Sequence, residues 1–126
     1  MLNQDAETVD RSADPQSVLA QVSNEMVRLH KEQFGRGPTR TRSDWAGDDA
    51  IVCTLEDSMT PAERHLVEMG EHQRLRDTRL FFQYASEDAF RAAIERITGR
   101  KVRAFISGID PKTDVSLEAF YLEPRS

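Results

Sequence analysis

Cysteine is nearly absent from this chain. Cys53 is the only one in 126 residues, so no intrachain disulfide can form. It stands in the apolar run Ala50-Ile51-Val52-Cys53-Thr54-Leu55, where a buried, small hydrophobic role is expected. Long hydrophobic runs are missing as well. None approaches the roughly 20 residues of a membrane span, and the polar stretch Met1–Asp14 offers no apolar segment of the kind that marks a secretory signal. A cytoplasmic protein is expected, one that reaches a membrane only through a partner and does not insert. An excess of basic residues is lacking too. Seventeen Lys and Arg against 22 Asp and Glu leave a net charge of −5, which argues against a broad nucleic-acid surface. Ser, Thr and Cys nucleophiles have no recognisable base partner. The Gly35–Gly37 turn follows a helix and lacks a Gly-Lys-Ser/Thr ending, so it is not a phosphate-binding P-loop.

What is present is a clear order of elements. Residues 1–14 lack periodicity and read as a flexible acidic tail; residues 15–126 read as a single α+β domain. Asp14-Pro15 suits a helix start, with Asp14 as N-cap and Pro15 at the first helical position. Val18, Leu19, Val22, Met26, Leu29 and Phe34 fall near one stripe, which predicts a helix to about residue 34 with His30 at its partly exposed edge. Gly35 then closes it and Pro38 forbids continuation. Thr39–Trp45 and Ala50–Glu56 predict a hairpin around Gly47-Asp48-Asp49, with Trp45 covering the end of the core.

Thr60-Pro61-Ala62-Glu63 has the pattern of a capping box. The long helix expected after it would carry Ala62, Leu66, Met69, Leu80, Phe81 and Tyr84 toward the core. Gln73 and Asp77 interrupt that stripe and need either solvent or partners. A second strip, Val67, Leu75 and Phe82, lies on the opposite side and suggests a homodimer interface. Ser86 opens a further helix with Phe90, Ala93, Ile94 and Ile97 inward, and Gly99 ends it. Val102–Ile109, with Val102, Ala104 and Ile106 on one face, and Val115–Leu122 form the last hairpin. Alternating βαβ units are absent. The expected fold is therefore α+β, a mainly antiparallel four-stranded sheet of two hairpins with about three helices on one face, in the order α-ββ-α-α-ββ.

Three constellations carry chemistry. Arg36, Gly37, Arg40 and Arg42 form an exit strand whose guanidinium forks suit carboxylate or phosphate, and Arg100 and Arg103 would extend that patch if the hairpins were neighbours. His65, Glu68 and His72 share a helical flank, but the two histidines stand about 10 Å apart along the axis of a continuous helix, so no metal site is expected. Asp48-Asp49 and Asp110/Asp114 suit turns through their own backbone bonding. No catalytic residue and no cofactor is assigned.

Ser23-Asn24-Glu25, Phe34-Gly35-Arg36-Gly37-Pro38, Leu55-Glu56 with Met59-Thr60-Pro61-Ala62-Glu63, Thr98-Gly99-Arg100-Lys101-Val102, and Asp110 with Asp114 occur in a distinctive order. In these the chain resembles, over residues 16–124, a small bacterial domain family of formerly unknown function. That family is associated with the MpsC-type component of sodium-translocating, membrane-potential-generating systems. The resemblance implies a cytoplasmic accessory subunit beside a membrane complex that moves ions, and it brings no catalytic residues with it. The expected function is a non-catalytic interaction subunit docking through the Arg36–Arg42 strand. A small-molecule or anion sensor using the arginine patch, and an enzyme whose site forms only across a dimer, are the alternatives.

Overall fold

The computed structural model describes residues 14–125. The acidic tail expected over residues 1–14 lies, but for Asp14, outside that range. The elements run α1 (Pro15–Phe34), β1 (Arg40–Trp45), β2 (Ala50–Glu56), α2 (Pro61–Glu68), α3 (His72–Ala85), α4 (Glu87–Thr98), β3 (Val102–Asp110) and β4 (Val115–Leu122). Both ends of α1 follow from local chemistry. The Asp14 carboxylate accepts from the Gln16 N–H at 3.1 Å, and Gly35, at φ 79°, donates its N–H to the Lys31 carbonyl.

The four strands form one antiparallel sheet in the order β1-β2-β4-β3. Register places Trp45, Ile51, Phe120 and Phe105 in one row across the covered face. The next row on that face is Ser43, Cys53, Glu118 and Ser107. Val22 and Met26 of α1 and Phe90 and Ile94 of α4 pack with the first row's apolar side chains to make the core. Trp45 lies partly buried against it, as expected. On the other face Ile106, Leu117 and Tyr121 stay exposed.

Three expectations need correction. The long helix after Thr60 is two helices, because Gly70 takes φ 81° and turns the chain between α2 and α3. The order is thus α-ββ-α-α-α-ββ. On β3 the face is shifted by one residue: register slips between Val102 and Ala104, so Arg103 is a bulge. Val102, Phe105 and Ser107 then point inward, and Ile106 is 50% exposed. His30, expected at a partly exposed edge, is wholly buried.

Three further features hold α2 and α3 in place. Asp114, at φ 56°, accepts from the N–H groups of Ser58 and Met59, both at 3.0 Å, and so fixes the loop that leads into α2. The capping box forms there as the sequence suggests, with Thr60 and Glu63 bonding each other's backbone N–H. α3 runs beside β3 and covers its free edge. The Tyr84 hydroxyl accepts from the Ser107 N–H at 2.9 Å, and Arg76 donates to the Ile109 carbonyl at 3.3 Å.

Candidate functional site

α3 is seated by an unusual set of side chains. At about 100° per residue, positions 75, 79 and 83 make one narrow stripe, and Leu75, Arg79 and Gln83 are its buried residues. Two of the three are polar. Phe81 stands on the opposite side of the helix at 69% exposure, and Phe82, on the flank, at 45%. The face expected to look inward, with Leu66, Met69, Leu80, Phe81 and Tyr84, therefore does not: Met69, Phe81 and Tyr84 are exposed. Gln73 and Asp77, the interruption in that stripe, lie at the surface and bond each other at 2.9 Å.

Arg79 makes the first half of the seat. Its guanidinium donates twice to the Glu63 carboxylate, at 2.7 Å each, and once to the Ser58 carbonyl at 3.1 Å. It also lies 3.9 Å from the Phe34 ring centroid, a cation–π contact. Glu63 thus ends the capping box of α2 and anchors α3 at once. Burial raises its carboxyl, but the Arg79 bonds, the Thr60 bonds and the guanidinium charge together hold it below the usual glutamate range.

Gln83 makes the second half. Its amide nitrogen lies 2.9 Å from His30 Nε2 and 2.7 Å from Glu118 Oε2. His30 Nδ1 lies 2.8 Å from the Met26 carbonyl, and Nε2 is 3.4 Å from Glu118 Oε2. His30 and Glu118 are both at 0% exposure. Burial pushes the Glu118 carboxyl up, against the opposing pull of the neighbouring His30 and Ser107 and of the Arg79 charge. Gln83 Oε1, Glu118 Oε1 and Arg79 Nη1 are buried with no hydrogen-bond partner among the described residues. Three unsatisfied atoms from one cluster mark a place where stability has been given up. No substrate-sized group reaches atoms at zero exposure. The chemistry open to this cluster is proton exchange and clamping.

The arginines read from the sequence do not form one patch. Arg36 bonds the carbonyls of Asp57 and Met59 and pairs with the Asp57 carboxylate. Arg40 pairs with Glu56 and Arg42 with Asp44. Arg100 is nearly buried at the other end of the hairpin, bonding Asp49 and the carbonyls of Asp48 and Glu123. Arg103 lies over the Tyr121 ring on β3, the opposite sheet edge from β1. Gly37 packs its backbone close to Val27 and Lys31. Of the strip expected at a dimer interface, Val67 is half-buried and Phe82 exposed, but Leu75 is buried within the chain itself and is removed from that role.

His65 and Glu68 are exposed and 3.7 Å apart, while His72 belongs to the next helix. Among the described residues no cluster of His, Cys, Asp or Glu is placed to hold a metal ion. Cys53 is buried, which pushes its thiol up to about 12. Sequence reasoning missed Arg79, Gln83 and Glu118 as site residues. One signal was available: Glu118 is the lone charge in the strand Val115–Leu122.

The fold is thus an α+β layer of helices on one face of a four-stranded antiparallel sheet, with a buried polar cluster between sheet and helices. Residues 15–124 match the family model described as "Na+-translocating membrane potential-generating system (MpsC)", and the chain belongs to that family. No curated protein and no solved structure matches it. Among the described residues no helix is long and apolar enough to cross a membrane.

Proposed function

We propose that this chain is a non-catalytic, cytoplasmic accessory subunit of a Na+-translocating, membrane-potential-generating system, held at the membrane by a protein partner. The observation that carries the reading is the inverted character of α3, which buries Arg79 and Gln83 and presents Phe81 and Phe82 outward. Outward aromatics are what interface anchors require, since a ring brings a large apolar area for little loss of side-chain freedom. The two rings touch edge to face with centroids 5.7 Å apart, and Phe82 meets Phe34 in the same way at 6.2 Å, so the exposed pair is backed by ordered structure. The Arg36–Arg42 strand is a weaker docking surface, because its guanidinium groups already face the chain's own carboxylates.

The test is affinity recovery from detergent-solubilised membranes with three proteins: wild type, Phe81→Ser/Phe82→Ser, and Arg40→Ala/Arg42→Ala. Recovery of an ion-translocating membrane subunit by wild type and the arginine variant, and its loss in the phenylalanine variant, is expected. Recovery by all three would move the interface off α3. Recovery of no membrane subunit by wild type would remove the accessory role itself.

A further inference from the structure

The cluster of His30, Gln83 and Glu118 has a property that its clamping role does not need. His30 Nδ1 faces a carbonyl, which only accepts, so Nδ1 carries a hydrogen. Nε2 then faces the Gln83 amide nitrogen, which spends one hydrogen there and the other on Glu118 Oε2. That arrangement fits a neutral imidazole. A proton on Glu118 Oε1 leaves it intact, because that oxygen has no partner among the described residues and Oε2 still accepts.

A proton on His30 Nε2 does not leave it intact, since it sets two donors against each other at 2.9 Å. If the amide turns over, its oxygen accepts from the imidazolium but opposes the Glu118 carboxylate at 2.7 Å. If the imidazolium closes instead on Glu118, now 3.4 Å away, the amide is excluded. Either way a charged imidazole beside a carboxylate takes at least one buried bond from Gln83, the last buried residue of α3.

We propose that His30 and Glu118 form a buried proton-binding site that α3 reads through Gln83. Proton uptake by the imidazole loosens the C-terminal half of α3, which carries Phe81 and Phe82. The groups that face this site are few. α3 contributes Gln83 and Arg79, the latter already committed to Glu63 of α2. β3 contributes Ser107 and β2 the buried Cys53, which stands opposite Glu118 in register and near Ser43 of β1. α1 contributes the Met26 carbonyl and the Phe34 ring, and α4 the ring of Phe90, 5.9 Å from the imidazole.

The consequence for docking rests on the reading of α3 given above; the site itself does not. The experiment is hydrogen exchange of the full chain between pH 8 and pH 5.5, corrected for intrinsic exchange rates, with the His30 ring titrated by NMR in parallel. Protection of residues 75–86 is expected to fall about tenfold as the ring takes its proton, with residues 87–98 unchanged. His72 is a second imidazole at the start of α3, so His30→Gln, which leaves His72 in place, must abolish the response. Gln83→Met, which removes the reader, must abolish it with His30 still titrating. A wild-type α3 whose protection keeps step with α4 across this range overturns the proposal, as does a response that survives either substitution. A pH-sensitive α3 combined with normal partner recovery by the Phe81/Phe82 variant would sustain the site and fail the docking surface.

Discussion

Two consecutive helices, α3 and α4, meet at Ser86 and solve the same packing problem in opposite ways. α4 buries Phe90, Ala93 and Ile94 and keeps its charges half-buried or exposed, the ordinary amphipathic arrangement. α3 buries Leu75, Arg79 and Gln83 and exposes phenylalanine. Apolar burial tolerates small shifts and has no preferred partner. A guanidinium in a carboxylate fork, or an amide between imidazole and carboxylate, fits in one arrangement only. α4 is therefore seated by area, and α3 by a specific set of bonds that other bonds or protons can compete with.

Substitutions can break that contrast from either side. The largest effect is expected in α4, where Ile94→Ala opens a cavity at a fully buried site and should lower stability by about 3–4 kcal/mol in urea denaturation. In α3, Arg79→Ala strands Glu63 in its half-buried site and should lower stability by about 3 kcal/mol. Arg79→Met combined with Glu63→Gln, which removes both charges and keeps the volume, should recover most of that loss. A double variant as unstable as Arg79→Ala would mean that α3 needs the ion pair itself.

The same pair gives a pH signature. The Glu63 carboxyl lies below its ordinary range in the folded chain, so its contribution is present above the usual glutamate pKa of about 4.3 and disappears as pH falls through the lower folded value. The stability gap between wild type and Glu63→Gln should therefore be full at pH 7 and shrink below about pH 4.3. A gap that widens on acidification would contradict the assignment. The smallest effect is expected on the outer side of α3. Phe81→Ser removes an exposed ring and should change stability by no more than about 0.5 kcal/mol. A loss of several kcal/mol there would show that Phe81 is part of the fold and not of a surface.

Elements with strong local chemistry were legible. The Asp14-Pro15 start, the Thr60–Glu63 box and the glycine stops at 35 and 99 act within a few residues, and both hairpins follow from turn residues between extended segments, of which Ala50–Glu56 is rich in β-branched side chains. Faces were legible only where periodicity ran unbroken. On α4 it did. On β3 the bulge at Arg103 reversed the alternation after Val102, and nothing in Val-Arg-Ala-Phe-Ile marks an extra residue. On α3 the apolar pattern pointed Phe81 and Tyr84 toward the core, because hydrophobic periodicity assumes that apolar residues win the inside. Here Arg79 and Gln83 win it, since Glu63, His30 and Glu118 wait there as partners. Those partners lie between 16 and 53 residues away along the chain, beyond any local pattern.

The sequence by itself thus settled which segments are helix and which are strand, where most of them stop, and that the sheet is antiparallel, because propensities, caps and turns are short-range. It also carried the family resemblance through the order of its short motifs. Tertiary structure decided which side of α3 and β3 faces inward, that Arg36, Arg40, Arg42 and Arg100 each meet a carboxylate or carbonyl while Arg103 lies over the Tyr121 ring, and that a histidine and a glutamate distant in the chain share one buried amide. A polar side chain is stable inside only when a second polar group meets it there, and only the folded chain brings the two together.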